Sequence, residues 1–260
     1  GICVNLLRHP AWGRAQETYG EDPHHVGEMG ASLTSGAQRH VMATLKHFAL
    51  NSMENARFGV DVSIDERALH EVYLPHFKRI IDEGVACVMT AYNSVNGEWC
   101  GENTALISDI LRDEWGFAGF VISDWIFGLR DGVKSLQAGL DVEMPYRMIR
   151  NAPITSALSE GLITEELVAS AVTRTLTTML KFGVGKLPVS DRSVVLCEEH
   201  LALSQEVAEK SMVLLKNEAV AGSALLPLSF AAGSTIGVFG RLAGVRNIGD
   251  GGSSDVMAPN

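Results

Sequence analysis

Cysteine is scarce: Cys3, Cys87, Cys100 and Cys197 are scattered over 260 residues, with no CxxC pair and no Cys/His ligand set. A structural zinc site is therefore not expected. Cys87 lies inside an apolar run, where a buried free thiol is the usual outcome. Unpaired cysteines favour a reducing, cytoplasmic compartment, although a pairing of Cys100 with another cysteine stays open. Basic residues are short too, 21 Lys and Arg against 31 Asp and Glu for a net charge of −10. Nucleic acid and anionic membrane both need clustered positive charge, so neither is expected as the partner. No run of about 18 apolar residues is present, which excludes a membrane-spanning helix from the expectations. The chain opens on Gly1 without an initiator Met or a signal peptide, so localisation is not read from its N-terminus. Serine-hydrolase, zinc-protease and nucleotide-binding signatures are missing as well. There is no GxSxG elbow and no HExxH, and "GDGGSSDV" lacks the lysine of a phosphate-binding loop. His24 and His25 are adjacent on an expected helix and do not share a face, which argues against metal binding there.

What the chain has in quantity is apolar residue, 46%, arranged in short strand-like runs separated by helix-length spacers. Asp22-Pro23 reads as the start of a helix, with the carboxylate as cap and proline in the first turn. "VMATLKHF" reads as a strand ending near Lys46. "SIDERALHEVYLPHFKRIIDEG" reads as one amphipathic helix, capped near Ser63 and closed by Gly84. "VACVMTAYN" is a strand, "ENTALISDILRDEWG" a helix, "FAGFVISDW" a strand, "LRDGVKSLQAG" a helix and "LDVEMP" a short strand. Two further helices are expected over 147–159 and 164–182, and "GICVNLL" reads as the tail of another strand. Such alternation predicts a parallel sheet with crossover helices, and the unbroken apolarity of the strands fits burial on both faces. Texture changes after Gly183. A linker "GKLPVSDRSVVLCEEH", a long helix over 198–218 and a new strand "STIGVFG" suggest a boundary near 187 and the opening of a second α/β domain.

Each expected strand ends in polar or aromatic residues: Lys46 and His47, Tyr92 and Asn93, Asp124 and Trp125. In a parallel sheet these ends share one edge, and in a (β/α) barrel that edge is where active sites assemble. Asp124 alone reads better as the cap of a helix starting near Gly128. Beside a strand-end carboxylate, though, the Trp125 indole suits stacking on a sugar face, while charged neighbours suit hydroxyls. In the ordered loop "RHPAWGRAQETYGEDP", Glu17 reads as a structural ion-pair partner. Arg14 there reads as a guanidinium facing ligand.

Eight motifs, in order, are "WGRAQETYGEDP", "KHFALN", "VDVSIDERALHEVYLPHF", "VMTAYNSVNG", "GFAGFVISDW", "AGLDVEMP", "SMVLLKNE" and "IGVFG". Through them the chain resembles glycoside hydrolase family 3, the β-glucosidase and β-xylosidase family, over nearly its whole length. The resemblance implies an α/β fold: a (β/α)8-type, TIM-like barrel incomplete at its N-terminus, followed by the start of an α/β sandwich domain. The expected division is 1–187 for the partial barrel, 188–225 for a linker and leading helix, and 226–260 for the truncated second domain. The resemblance implies a retaining, exo-acting β-glycosidase acting on a small β-glucoside or β-linked oligosaccharide, a chemistry that needs neither a metal nor an organic cofactor. Asp124 matches the nucleophile. Arg14, Lys46, His47, Met89, Tyr92 and Trp125 match residues of the cleavage subsite, and Ser253 matches a serine that reaches its rim. Lys46 and Arg14 are expected to hold the Asp124 carboxyl low. The acid/base, which the family supplies from the sandwich domain, has no match in this chain. The text after "KHFALN" disfavours the N-acetylglucosaminidase branch. A β-xylosidase or mixed-specificity enzyme is the alternative within the family. A non-catalytic sugar-binding relative or inactive fragment is the alternative outside it. The oligomeric state stays open.

Overall fold

The computed structural model describes residues 1–185, 191–220 and 222–245. The chain forms two compact units, Gly1–Leu187 and Pro188–Asn260. The first opens with β1 (Ile2–Cys3), α1 (Pro23–Ala37) and β2 (Thr44–Phe48). Next come β3 (Asp61–Val62), the single turn α2 (Glu66–Ala68), α3 (Pro75–Asp82) and β4 (Cys87–Thr90). The short strands β5 (Ser94–Val95) and β6 (Glu98–Trp99) and a π-helix, Ala105–Glu114, lead to β7 (Phe120–Ile122). The unit ends with α4 (Gly132–Gln137), α5 (Asn151–Ser159) and α6 (Glu165–Lys181).

The main sheet has the order β1-β2-β4-β7, parallel throughout. A parallel bridge from Ile122 to Val142 carries it one chain further. Order in space thus follows order in sequence, without the reversal at a switch point that marks a doubly wound sheet. This is the winding of a (β/α) barrel. Side-chain parity separates its two faces. Leu45, Val88 and Val121 join Val26, Phe77 and Ile80 of α1 and α3 in the large outer core. Cys87, Met89, Phe120, Ile122, Val142 and Met144 cluster on the opposite face, the inside of the barrel wall. Burial of each large apolar side chain contributes roughly 1.5–3 kcal/mol, so this two-sided packing pins the strand register.

Helix starts follow local chemistry. Asp22 caps α1 by accepting from His25 N at 3.0 Å, with Pro23 in the first turn. Asp131 caps α4 and Thr164 caps α6. The single helix expected over 63–84 is instead broken. Asp65, not Ser63, is the cap, and α2 passes through the π-type turn Leu69–Tyr73 before α3 begins at Pro75. Proline has no N–H to continue the ladder and its ring obstructs the preceding turn. The second half does close at Gly84, which takes the left-handed φ of +85° that glycine tolerates.

In the second unit, α7 (Glu198–Lys210) is shorter than the helix expected to reach residue 218, and β8 (Ala219–Val220) pairs antiparallel with β9 (Ser223–Ala224). The strand expected over "STIGVFG" does not form, and Ile236, Val238 and Phe239 are exposed. A strand is stable only with a neighbour for its backbone groups and cover for its apolar face, and among the described residues 234–240 has no paired neighbour.

Candidate active site

β7 directs Asp124 to the C-terminal edge of the sheet. The turn beyond it is tied down by Ser123, whose N–H donates to Val142 O at 3.0 Å and whose Oγ accepts from Met144 N at 2.9 Å. The chain then doubles back, with Ile126 N donating to Met144 O at 3.0 Å. Ile126 itself sits at φ +63°. A β-branched residue there is strained, and such strain clusters at functional sites. Gly128 closes the turn against the backbone of Asp124: a Cβ on Gly128 would stand 2.4 Å from Asp124 O. No helix starts here, because α4 is capped by Asp131. The helix-cap reading of Asp124 is thereby removed.

The Asp124 carboxyl is buried, at 5% exposure. Its Oδ1 accepts from Trp125 N at 2.7 Å. Its Oδ2 has no hydrogen-bond partner and lies 3.6 Å from His47 Nε2. Burial pushes this carboxyl above the ordinary aspartate range, against the opposing pull of the Trp125 N–H, Tyr92, and the Arg14 and Arg57 charges. The expectation that Lys46 and Arg14 hold it low is therefore corrected. The reason is that Arg14 spends its fork elsewhere: Nε and Nη2 donate to Glu17 at 2.8 and 2.7 Å. Lys46 Nζ also faces Glu17, at 3.6 Å. Desolvation outweighs cations that are already partnered.

His47 stands between these groups. Arg14 Nη1 lies 3.0 Å from its Nε2, and Asn5 holds its other side. Burial first, and then the surrounding cations Arg14, Lys46 and Arg57, push its pKa well below the ordinary histidine range, so the ring is neutral. Tyr92, beyond β4, donates from its hydroxyl to Trp125 O at 2.8 Å. Burial and the Asp124 charge raise its own pKa.

Arg14, Lys46, His47, Tyr92 and Asp124 thus meet in one polar network, with Trp125 at its lip and 43% exposed. Met89 stays outside the network; it packs with Cys87 and Ile122 inside the barrel wall. Ser253 lies outside the described residues. Two residues of the site were missed. Asn5 was hidden in "GICVNLL", where a polar residue interrupts an apolar run at a strand's end, the signal that drew attention to Asp124. Arg57, paired with Glu54, lays its guanidinium 4.7 Å from the Tyr92 ring centre and 4.8 Å from that of Phe58. Phe58 in turn meets Phe127 edge to face at 5.3 Å, giving the mouth an aromatic wall. Among the described residues no group of three or more His, Cys, Asp or Glu could hold a metal ion. What the arrangement offers is a desolvated carboxylate with one free oxygen, ringed by cationic donors.

Known proteins carry the same architecture. Thermostable beta-glucosidase B of Acetivibrio thermocellus is 39% identical over 221 residues, covering 84% of this chain and 29% of its own length. The beta-glucosidase of Rhizobium radiobacter is 36% identical over 260 residues, covering 98% of this chain and 31% of its own. The structure of beta-glucosidase 3B from Thermotoga neapolitana in complex with alpha-D-glucose superposes with a TM-score of 0.86 at 33% identity, over 100% of this chain and 36% of that one. The chain therefore spans about a third of the length of these relatives. The model described as glycosyl hydrolase family 3 N terminal domain matches residues 3–178. Barrel winding, strand-end site and sequence agree: the chain belongs to glycosyl hydrolase family 3.

Proposed function

We propose that this chain is the nucleophile-bearing barrel of a longer, retaining, exo-acting β-glucosidase. The observation that carries the reading is Asp124, buried at a strand end with Oδ1 anchored and Oδ2 free. The names of its relatives support glucoside as the substrate class. In the first step Asp124 Oδ2 attacks the anomeric carbon, the glycosidic C–O bond breaks, and the leaving oxygen takes a proton from an acid. Water then attacks the same carbon, its proton returning to the group that gave one in the first step, and the Asp124–sugar ester bond breaks to release the sugar and the carboxylate. Arg14 keeps unused N–H groups, and with Lys46 and Arg57 it supplies donors for the sugar hydroxyls. The Trp125 ring gives an apolar pyranose face its platform.

Glu17 is not the proton donor. Its hydrogen bond from Arg14 holds it below the ordinary glutamate range, as an ionised partner. We assign the donor to a part of the longer protein outside this chain, with residues 188–225 as the passage toward an α/β sandwich domain. The test is to incubate the full-length protein with an activated 2-fluoro-glucoside and to locate the label by mass spectrometry. Label on Asp124 is expected. Label on another residue alongside normal turnover overturns the mechanism. Turnover of an aryl glucoside against the matching xyloside decides the sugar.

A further inference from the structure

Asn5 continues the line of β1, where Val4 N still donates to Lys46 O at 2.9 Å, and its side chain is 2% exposed. Two backbone groups of His47 dictate how its amide is turned. Asn5 Oδ1 accepts from His47 N at 3.0 Å, and Asn5 Nδ2 donates to His47 O at 2.9 Å. A reversed amide would set N–H against N–H and oxygen against oxygen, so this orientation follows from the hydrogen bonds alone. The same Oδ1 lies 3.2 Å from His47 Nδ1. An amide oxygen only accepts, so Nδ1 must carry the ring proton. In the neutral ring Nε2 is then a bare acceptor, and Arg14 Nη1 donates to it at 3.0 Å. Asp124 Oδ2, 3.6 Å from the same nitrogen, consequently receives no hydrogen from His47, and the neighbouring Tyr92 hydroxyl donates to Trp125 O instead.

We infer that Asn5 is a positioning residue: it sets the tautomer of His47 and so leaves the attacking oxygen of Asp124 free of a hydrogen-bond donor. The inference rests on Asp124 as the nucleophile. With the other tautomer, an Nε2–H would point at Oδ2, favour the resting carboxylate over the attacking one, and face the Arg14 N–H head-on. Charged and titratable groups around the pair are Arg14 and Glu17 on the loop before α1, Lys46 on β2, Arg57 on the next loop and Tyr92 beyond β4. None of these touches Nδ1; Asn5 does.

The experiment has two arms on the full-length protein. In the first, Asn5→Ala is assayed across pH, with rates normalised to competent sites by fluoro-glucoside titration. Loss of tautomer control is expected to lower kcat about 10- to 100-fold with little change in KM. It should also move the acid limb of kcat down by about half to one pH unit, as a new donor stabilises the Asp124 carboxylate. A purely structural role lowers the number of competent sites and leaves the limb in place, and that result overturns the inference. The second arm needs no variant: two-bond 1H–15N spectra of the wild-type protein labelled with 15N-histidine report the His47 tautomer. Nδ1–H is expected, and Nε2–H overturns the inference. Because this arm reads a proton and not a reaction, its failure is distinguishable from failure of the assignment of Asp124, which labelling tests separately.

Discussion

Gly128→Ala is the sharpest probe of how the nucleophile is held. The added Cβ would stand 2.4 Å from Asp124 O and 2.7 Å from Asp124 N. Ordinary van der Waals contact begins near 3.4 Å, so the turn must open by about 1 Å. Both obstructing atoms are backbone, and no side chain can swing aside to absorb the methyl. Ser123 and Ile126, bonded to the Val142–Met144 segment, resist movement of that turn from either side. Displacement therefore falls on Asp124 itself. An error of 1 Å in a reacting group costs about 100-fold in rate, and overpacking of this kind costs about 1–3 kcal/mol in stability. The assay is kcat/KM of the full-length protein on an aryl β-glucoside, per competent site, alongside thermal unfolding. Gly36→Ala is the control: a Cβ there meets nothing within 4 Å, and α1 gains about 0.5–1 kcal/mol of helix propensity. Gly128→Ala with unchanged kcat/KM would refute the claim that this close approach positions the nucleophile.

Asp124→Asn is expected to reduce turnover at least about 10⁴-fold while raising thermal stability at neutral pH. The sign follows from burial: the folded state binds the Asp124 proton more tightly than the unfolded one, so the wild type loses stability as pH rises through that raised range. The advantage of the asparagine variant should shrink toward zero below the ordinary aspartate range; an advantage that persists at acid pH would exclude the desolvated charge as its cause. Asp141→Ala should destabilise by about 3–5 kcal/mol in chemical denaturation. That fully buried carboxylate accepts from Arg112 at 2.7 Å, from Arg174 at 2.8 Å and from Val121 N at 2.7 Å, and its loss strands all three donors; a loss under 1 kcal/mol would count against that account.

Much of the barrel could be read from short-range chemistry. Asp22-Pro23 marks a helix start through a side-chain oxygen and proline geometry, which are local properties. The strands were legible from apolar runs, and their shared edge from topology. Pro75 was the local signal that should have split the 63–84 helix, but the amphipathic period runs through it and hid the break. Residues 234–240 show the converse, a good strand pattern without a neighbour among the described residues. The ionisation of Asp124 was out of reach for a different reason. Sequence shows which cations are nearby, but not that Glu17 already occupies Arg14, nor how completely water is excluded. Asn5 lies 42 positions from His47, and only the register of β1 on β2 brings its amide to the histidine backbone.

That register has a consequence for the chain in time. Ile2 pairs with Leu45, Thr44 with Cys87, and Cys87 with Phe120. Among the described residues of the main sheet, β2, β4 and β7 each dock on that sheet's previous strand, and none has to be inserted between two already joined. A ribosome adds about 5–20 residues per second, so a new strand reaches its waiting partner every few seconds. The sheet can grow in the order of synthesis, with each edge left open only until the next strand emerges. The histidine and its asparagine would then be in place before the nucleophile has been made.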